Sequence, residues 1–314
     1  MMHLRAIGDG CGTCLRWFAA PLLLALVLQS CASPSGKLDR LAKDQGFVRS
    51  TLVAGGFRLR VYQNTAAQLR ASNRTLEPES ITLHVYLEGD GSPWRYRTII
   101  MPDPTPRRPL MLRLMRQDAQ PAAYLGRPCY NGTSLEDSCD NSLWTSGRYS
   151  LAVVQSMASG LRVLARQHRA DRLWLLGHSG GGALAMLLAE QVPEVRRVVT
   201  VAGNLDTSAW TRHHGYTPLY GSANPADQVP YRRDLWQWHL LGGQDDVIPQ
   251  QLVRPFIMRQ SHASAFLIDR FSHGCCWLSI WPQVLVALEQ DDPTQIPGRQ
   301  FKFRDDVLEA SDSL

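Results

Sequence analysis

Lysine is scarce in this chain. It occurs at Lys37, Lys43 and Lys302, and arginine supplies nearly all of the 33 basic residues. No dense Lys/Arg block stands anywhere, and the net charge of +5 is spread along the sequence. Nucleic-acid binding leaves a clustered basic footprint, so nucleic acid is not expected as a partner. Charge is also sparse at 19%, beside 44% hydrophobic residues. Disordered chains show the reverse balance, so a folded globular protein is expected. No apolar run reaches the roughly 20 residues that a membrane-spanning helix needs. No internal repeat or low-complexity block is present, which removes solenoids and tandem arrays. What remains is a 314-residue chain, long enough for one large domain with its own core.

The N-terminus holds a shorter apolar run. Arg5 and Arg16 precede Trp17–Leu28, twelve residues with the length of a signal-peptide core. Leu28-Gln29-Ser30-Cys31 follows and resembles the lipobox of bacterial lipoproteins, although glutamine at the second place is unusual. The resemblance implies that residues 1–30 are a removed signal peptide and that Cys31 carries lipid. The chain would then be anchored to a cell-envelope membrane through its N-terminus. Ala32 stands where aspartate would imply retention at the inner membrane, and so points to the outer membrane of a Gram-negative bacterium. An ordinary secretory leader with an incidental cysteine is the alternative. Residues 31–46 are expected to form a tether, flexible over Ala32–Lys37.

Seven cysteines are present. Cys11 and Cys14 belong to the leader. Cys129 and Cys139 flank a segment rich in turn-forming Asn, Gly, Ser and Asp, and an oxidising compartment favours a disulfide between them. Cys275 and Cys276 are adjacent; a bond between neighbours strains the peptide, so two buried free thiols are expected.

Hydrophobic periodicity gives a coarse map. Phe47–Asn64 alternates around Gly55-Gly56, as an antiparallel hairpin does. Strand-like and helix-like runs then alternate: a strand in Ser80–Gly91, a helix in Pro106–Ala119, a short strand in Ala122–Pro128 and a long helix in Ser146–Ala170. Strand and helix signals continue in turn to residue 290, and the tail over 291–314 is polar and expected to fray. This is the spacing of βαβ units. It predicts an α/β fold with a mostly parallel sheet, helices on both faces and an antiparallel start. Ligands in such sheets bind at the carboxyl ends of the strands.

At one strand–helix junction the sequence reads Gly177-His178-Ser179-Gly180-Gly181. Glycines around a serine suit a turn where backbone passes too close for side chains, and the following helix directs its positive end at the serine. Later junctions offer Gly243-Gln244-Asp245-Asp246-Val247-Ile248-Pro249 and Phe271-Ser272-His273. Over residues 47–290 this set resembles the α/β-hydrolase superfamily in its serine-hydrolase branch. The resemblance implies Ser179 as nucleophile, His273 as base and Asp245 as the acid that orients it. The acid-turn pattern selects Asp245 over Asp246, and His262 lies before its strand, at the wrong sheet edge. The oxyanion would be held by the N–H groups of Gly180 and Asp90.

The loop Glu88-Gly89-Asp90-Gly91 departs from the family, which places His-Gly there. A carboxylate near an oxyanion must point away or be paired, and Arg95, Arg97 and Arg148 are candidate partners. Its side chains read either as a hydrogen-bonded acidic turn or as a site for a positive substrate group. Residues 204–230, with Trp210, His213, His214, Tyr216 and Tyr220, sit where the family inserts its cap, and this one must be short. His213-His214 lacks cysteine or carboxylate partners for a metal, and the hydrolase reading implies neither a metal nor an organic cofactor. The implied activity is hydrolysis of a carboxylic ester, small-molecule or lipid, through an acyl-serine. Thioesters and peptides fit the same machinery, and a non-catalytic lipoprotein that binds a ligand or partner is the rival reading.

Overall fold

Leu38 and Ala42 are spaced one helical turn apart, and both are buried in the computed structural model, which describes residues 33–72, 80–228 and 230–302. They belong to helix α1, Pro34–Asp44, where a flexible tether was expected. The correction has a packing cause: these apolar side chains reach the core around Phe47 and Tyr62. Asp39 also accepts hydrogen bonds from Tyr62 Oη and Arg49, which fixes the helix to the first two strands. Cys31 lies outside the described residues, as does the tail from 303. Among the described residues no helix is long and apolar enough to cross a membrane.

The hairpin forms as expected from β1 (Val48–Ala54) and β2 (Phe57–Gln63). Helix α2 (Thr65–Ser72) leads to β3 (Thr82–Leu87). A small two-stranded ribbon, β4 (Trp94–Arg95) with β5 (Ile99–Ile100), precedes α3 (Leu110–Met115). Then follow β6 (Ala122–Leu125), α4 (Leu151–His168), β7 (Arg172–His178), α5 (Gly180–Gln191) and β8 (Val195–Val201). Helix α6 (Thr207–His214) comes next, and β9 (Trp236–Gly242), α7 (Gln250–Ile257), β10 (Ala263–Ile268), α8 (Trp281–Gln290) and β11 (Arg299–Lys302) complete the order.

Nine of these strands form one sheet in the order β1-β2-β6-β3-β7-β8-β9-β10-β11. The stretch from β6 to β10 is parallel, while β1, β2 and β11 pair antiparallel at the two edges. The tail was expected to fray from Asp291. Instead Arg299–Lys302 adds an edge strand to β10, because that edge offers unpaired backbone groups.

Alternating side chains feed two cores. Leu83, Val85, Leu173, Leu175, Val198 and Leu241 face one cluster, under α4, α5 and α7. Tyr86, Leu176, Val199, Leu240 and Phe266 face the other, under α1, α3 and α8. Residues 180–189 of α5 are all buried, so this helix is apolar all round and wedged between neighbours. The register aligns Leu87 with Gly177, His178 with Val201, Val201 with Leu240 and Gly242 with Ile268. The segments that follow these strands therefore leave the sheet along one edge, and each candidate residue lies just past one of them.

Candidate functional site

Ser179 occupies the turn between β7 and α5 with φ 52° and ψ −119°. A non-glycine residue in that region costs about 1–3 kcal/mol and persists only where its surroundings hold it. Ser179 N–H donates to the Val201 carbonyl at 3.0 Å, and its own carbonyl accepts from Gly182 and Asn204 at 2.9 and 3.0 Å. The flanking glycine is required by space: a Cβ on Gly180 would lie 1.9 Å from Asp90 Oδ1 and 2.4 Å from the Tyr149 hydroxyl.

Asp245 follows β9 and is buried, whereas Asp246 is exposed. Asp245 Oδ1 accepts from the N–H groups of Val247 and Ile248 at 2.9 and 2.8 Å, and Oδ2 meets His273 Nδ1 at 3.0 Å. Of the two acids in the turn, the structure brings Asp245 to the imidazole. With Nδ1–H held by a carboxylate, Nε2 keeps a lone pair for accepting a proton. Ser179 and His273 line the same cleft, and in this conformation the hydroxyl makes no hydrogen bond to the ring. Such contacts commonly tighten only when a substrate is bound.

The middle residue of the motif, His178, is tied to the histidine loop. Its Nε2 donates to the His273 carbonyl at 2.9 Å, and the two rings lie 4.8 Å apart. Burial, helped by the neighbouring His273, pushes its pKa down to about 3, so the ring is neutral. The sequence reading gave His178 no role, although it sits beside the serine in that motif.

Asp90 is held on all sides. Burial favours its protonated form, but Arg127 and Arg148 override this and hold the carboxyl well below the usual range. Arg127 Nη1 donates to Oδ1 at 2.7 Å, Arg148 Nη1 to Oδ2 at 3.0 Å and Tyr149 Oη to Oδ2 at 2.6 Å. Tyr130 Oη donates to the Asp90 carbonyl at 3.1 Å. Arg148 was among the expected partners. Arg95 and Arg97 are not: their guanidinium groups lie over the rings of Tyr96 and Tyr216. Arg127 escaped the sequence reading, although it stands two residues before Cys129. The Cys129–Cys139 disulfide is present and closes the adjoining loop.

Glu88 is buried too. Its Oε2 accepts from Met111 N at 2.9 Å, within the first turn of α3, and burial outweighs these backbone donors, raising its pKa to about 7. Asp90 and Glu88 thus form the hydrogen-bonded acidic turn, the first of the two alternatives.

Cys275 and Cys276, expected to be buried free thiols, are exposed and bonded to each other. The expectation rested on the strain of a bond between neighbours; the peptide that joins them here is cis, with the Cα atoms 3.2 Å apart. The pair lies two residues beyond His273, and the Cys275 carbonyl accepts from Ser272 N at 2.9 Å.

The cleft has a volume of about 990 Å³. Its walls include the 88–94 loop, Arg97, residues 106–108 before α3, and Trp210, Tyr216 and Leu219 from the expected cap region. That region is not a bare loop. It contains α6, capped by Asp206, whose carboxylate accepts from Ala209 N at 2.9 Å. Trp210 Nε1 and His214 Nε2 both bond the Val247 carbonyl, which joins the cap to the acid turn.

No family model matches the sequence, and no curated protein matches it. Solved structures do match in shape. An esterase from Pyrococcus furiosus is 13% identical with a TM-score of 0.54, over 81% of this chain and 92% of its own. Est1E from Butyrivibrio proteoclasticus is 12% identical with a TM-score of 0.54, over 78% and 99%. A puromycin hydrolase is 16% identical with a TM-score of 0.54, over 82% of this chain and 41% of that one.

Proposed function

We propose that this chain, which has the α/β-hydrolase fold, is a serine hydrolase that cleaves carboxylic esters through an acyl-Ser179 intermediate. The observation that carries the reading is the ordered set at one sheet edge: a strained Ser179 and a His273 whose Nδ1 is held by buried Asp245. His273 Nε2 takes the hydroxyl proton as Ser179 Oγ attacks the ester carbonyl. The negative charge that develops on the carbonyl oxygen is met by the N–H groups of Gly180 and Asp90. Collapse expels the alcohol, which receives the proton from His273. Water then repeats the sequence on the acyl-serine, giving acid and free enzyme.

An ester is favoured over an amide because its leaving group needs less protonation. The names of the fold neighbours, an esterase among them, point the same way. The acidic loop was the support for a non-catalytic binding protein, and its neutralisation by Arg127 and Arg148 weakens that rival.

A fluorophosphonate probe tests the reading. Wild-type protein is expected to be labelled, and folded Ser179→Ala protein to remain unlabelled. A folded wild type that resists the probe would hand the case to the binding protein. We further propose that the mature chain is anchored by lipid on Cys31 to the outer membrane, on the strength of Leu28-Gln29-Ser30-Cys31 followed by Ala32. Fractionation of cells carrying Cys31→Ser is expected to move the protein from membrane to soluble fractions; membrane retention of that variant would refute the anchor.

A further inference from the structure

The cleft carries cationic groups that the chemistry of Ser179, Asp245 and His273 leaves unused. Arg97, Arg107 and Arg108 line it together with Ser179 and His273, and all three are exposed. Among the described residues none of the three forms an ion pair, in contrast to Arg127 and Arg148 in the same region. The acids of the cleft do not offset them. Asp90 is shared between two buried guanidinium groups, so that trio already carries a net positive charge. Glu88 is buried and bonded to backbone N–H groups. Asp245 does not line the cleft: it is buried and held by His273 and by the N–H groups of Val247 and Ile248.

Two local features hold the free arginines in place. Arg97 stands in the turn of the β4–β5 ribbon with φ 63°, and its guanidinium lies 5.5 Å from the centre of the Tyr216 ring. It therefore bridges the ribbon and the cap across the cleft. Arg107 and Arg108 lie between Pro106 and Pro109, whose rings restrict the backbone on both sides. Guanidinium groups offer paired N–H donors that match carboxylate, phosphate and sulfate oxygens. A cleft of one sign with apolar walls also concentrates ligands of the opposite sign.

We infer that Arg97, Arg107 and Arg108 select an ester bearing an anionic group, a carboxylate, phosphate or sulfate, on its acyl or its alcohol side. The inference rests on the hydrolase reading above and names the substrate class of that same site.

Two matched ester pairs test it. On the acyl side, p-nitrophenyl pentanoate is compared with the monoanionic p-nitrophenyl ester of glutaric acid. On the leaving side, phenyl acetate is compared with 4-acetoxybenzoate. The readout is the ratio of kcat/KM for the anionic member over the neutral one, which cancels any general loss of activity. Wild type is expected to favour the anionic member of at least one pair by about ten-fold at low salt, with the ratio shrinking as salt rises. Arg107→Ser/Arg108→Ser and Arg97→Ser are expected to bring that ratio towards one. The pair that responds identifies the side that bears the charge. Equal or better turnover of the neutral member in both pairs overturns the inference, as does a wild-type ratio that the variants leave unmoved. Failure of the underlying reading looks different: neither pair is turned over and Ser179 resists the fluorophosphonate probe, which overturns both.

Discussion

Asp245→Asn is expected to lower the kcat for ester hydrolysis by about 10⁴-fold, the scale set by the same change in a serine protease triad. The amide keeps the size of the carboxylate but presents an N–H₂ group or an uncharged oxygen to Nδ1. The tautomer that leaves Nε2 free is no longer enforced, and the imidazolium loses its counter-charge. Asp246→Asn should leave kcat essentially unchanged, because Asp246 is exposed and Asp245 alone meets His273. Steady-state kinetics on one activated ester compare the two. Equal losses, or a larger loss at Asp246, would show that Asp245 is not the acid that orients His273.

The second large effect is on stability. Asp90→Ala would leave Arg127 and Arg148 buried beside each other, 4% and 6% exposed, with their shared acceptor gone. Breaking a buried pair from one side costs about 3–5 kcal/mol, because a desolvated charge is stranded. For a domain of this size that corresponds to a fall in Tm of roughly 5–15 °C. Asp90→Asn should cost less, since its amide oxygen can still accept from one arginine. Thermal melts of both variants decide it, and a Tm for Asp90→Ala within a degree of wild type would show that solvent reaches these arginines in place of the carboxylate.

The parts of this molecule legible from sequence are those set by local pattern. Period-two and helical spacings located the parallel strands and the long helix α4, because each buried face is written into neighbouring residues. The turn at Ser179 was legible because steric crowding demands glycine at nearby positions. Asp245 and His273 were singled out because each follows a strand in the order, and Asp245 in the turn pattern, that the resemblance to the α/β-hydrolases implies. What escaped was set by distant contacts. Arg127 meets Asp90 across 37 positions, and no local spacing announces that encounter. Helix α1 buries only Leu38 and Ala42, too few apolar residues for a periodicity to stand out. Strand β11 reads Arg-Gln-Phe-Lys and takes its conformation from the edge it joins. The Cys275–Cys276 bond depends on a backbone geometry that composition does not report.

The Cys129–Cys139 bridge has a consequence well beyond its own loop. It anchors the segment that delivers Arg127 and Tyr130 to the loop beside Ser179. The redox state of this one bond is therefore coupled to the order of the loop beside Ser179. With the bridge reduced, Arg148 and Tyr149 would still grip the Asp90 carboxylate, while the grip of Arg127 and Tyr130 would slacken with the loop that carries them.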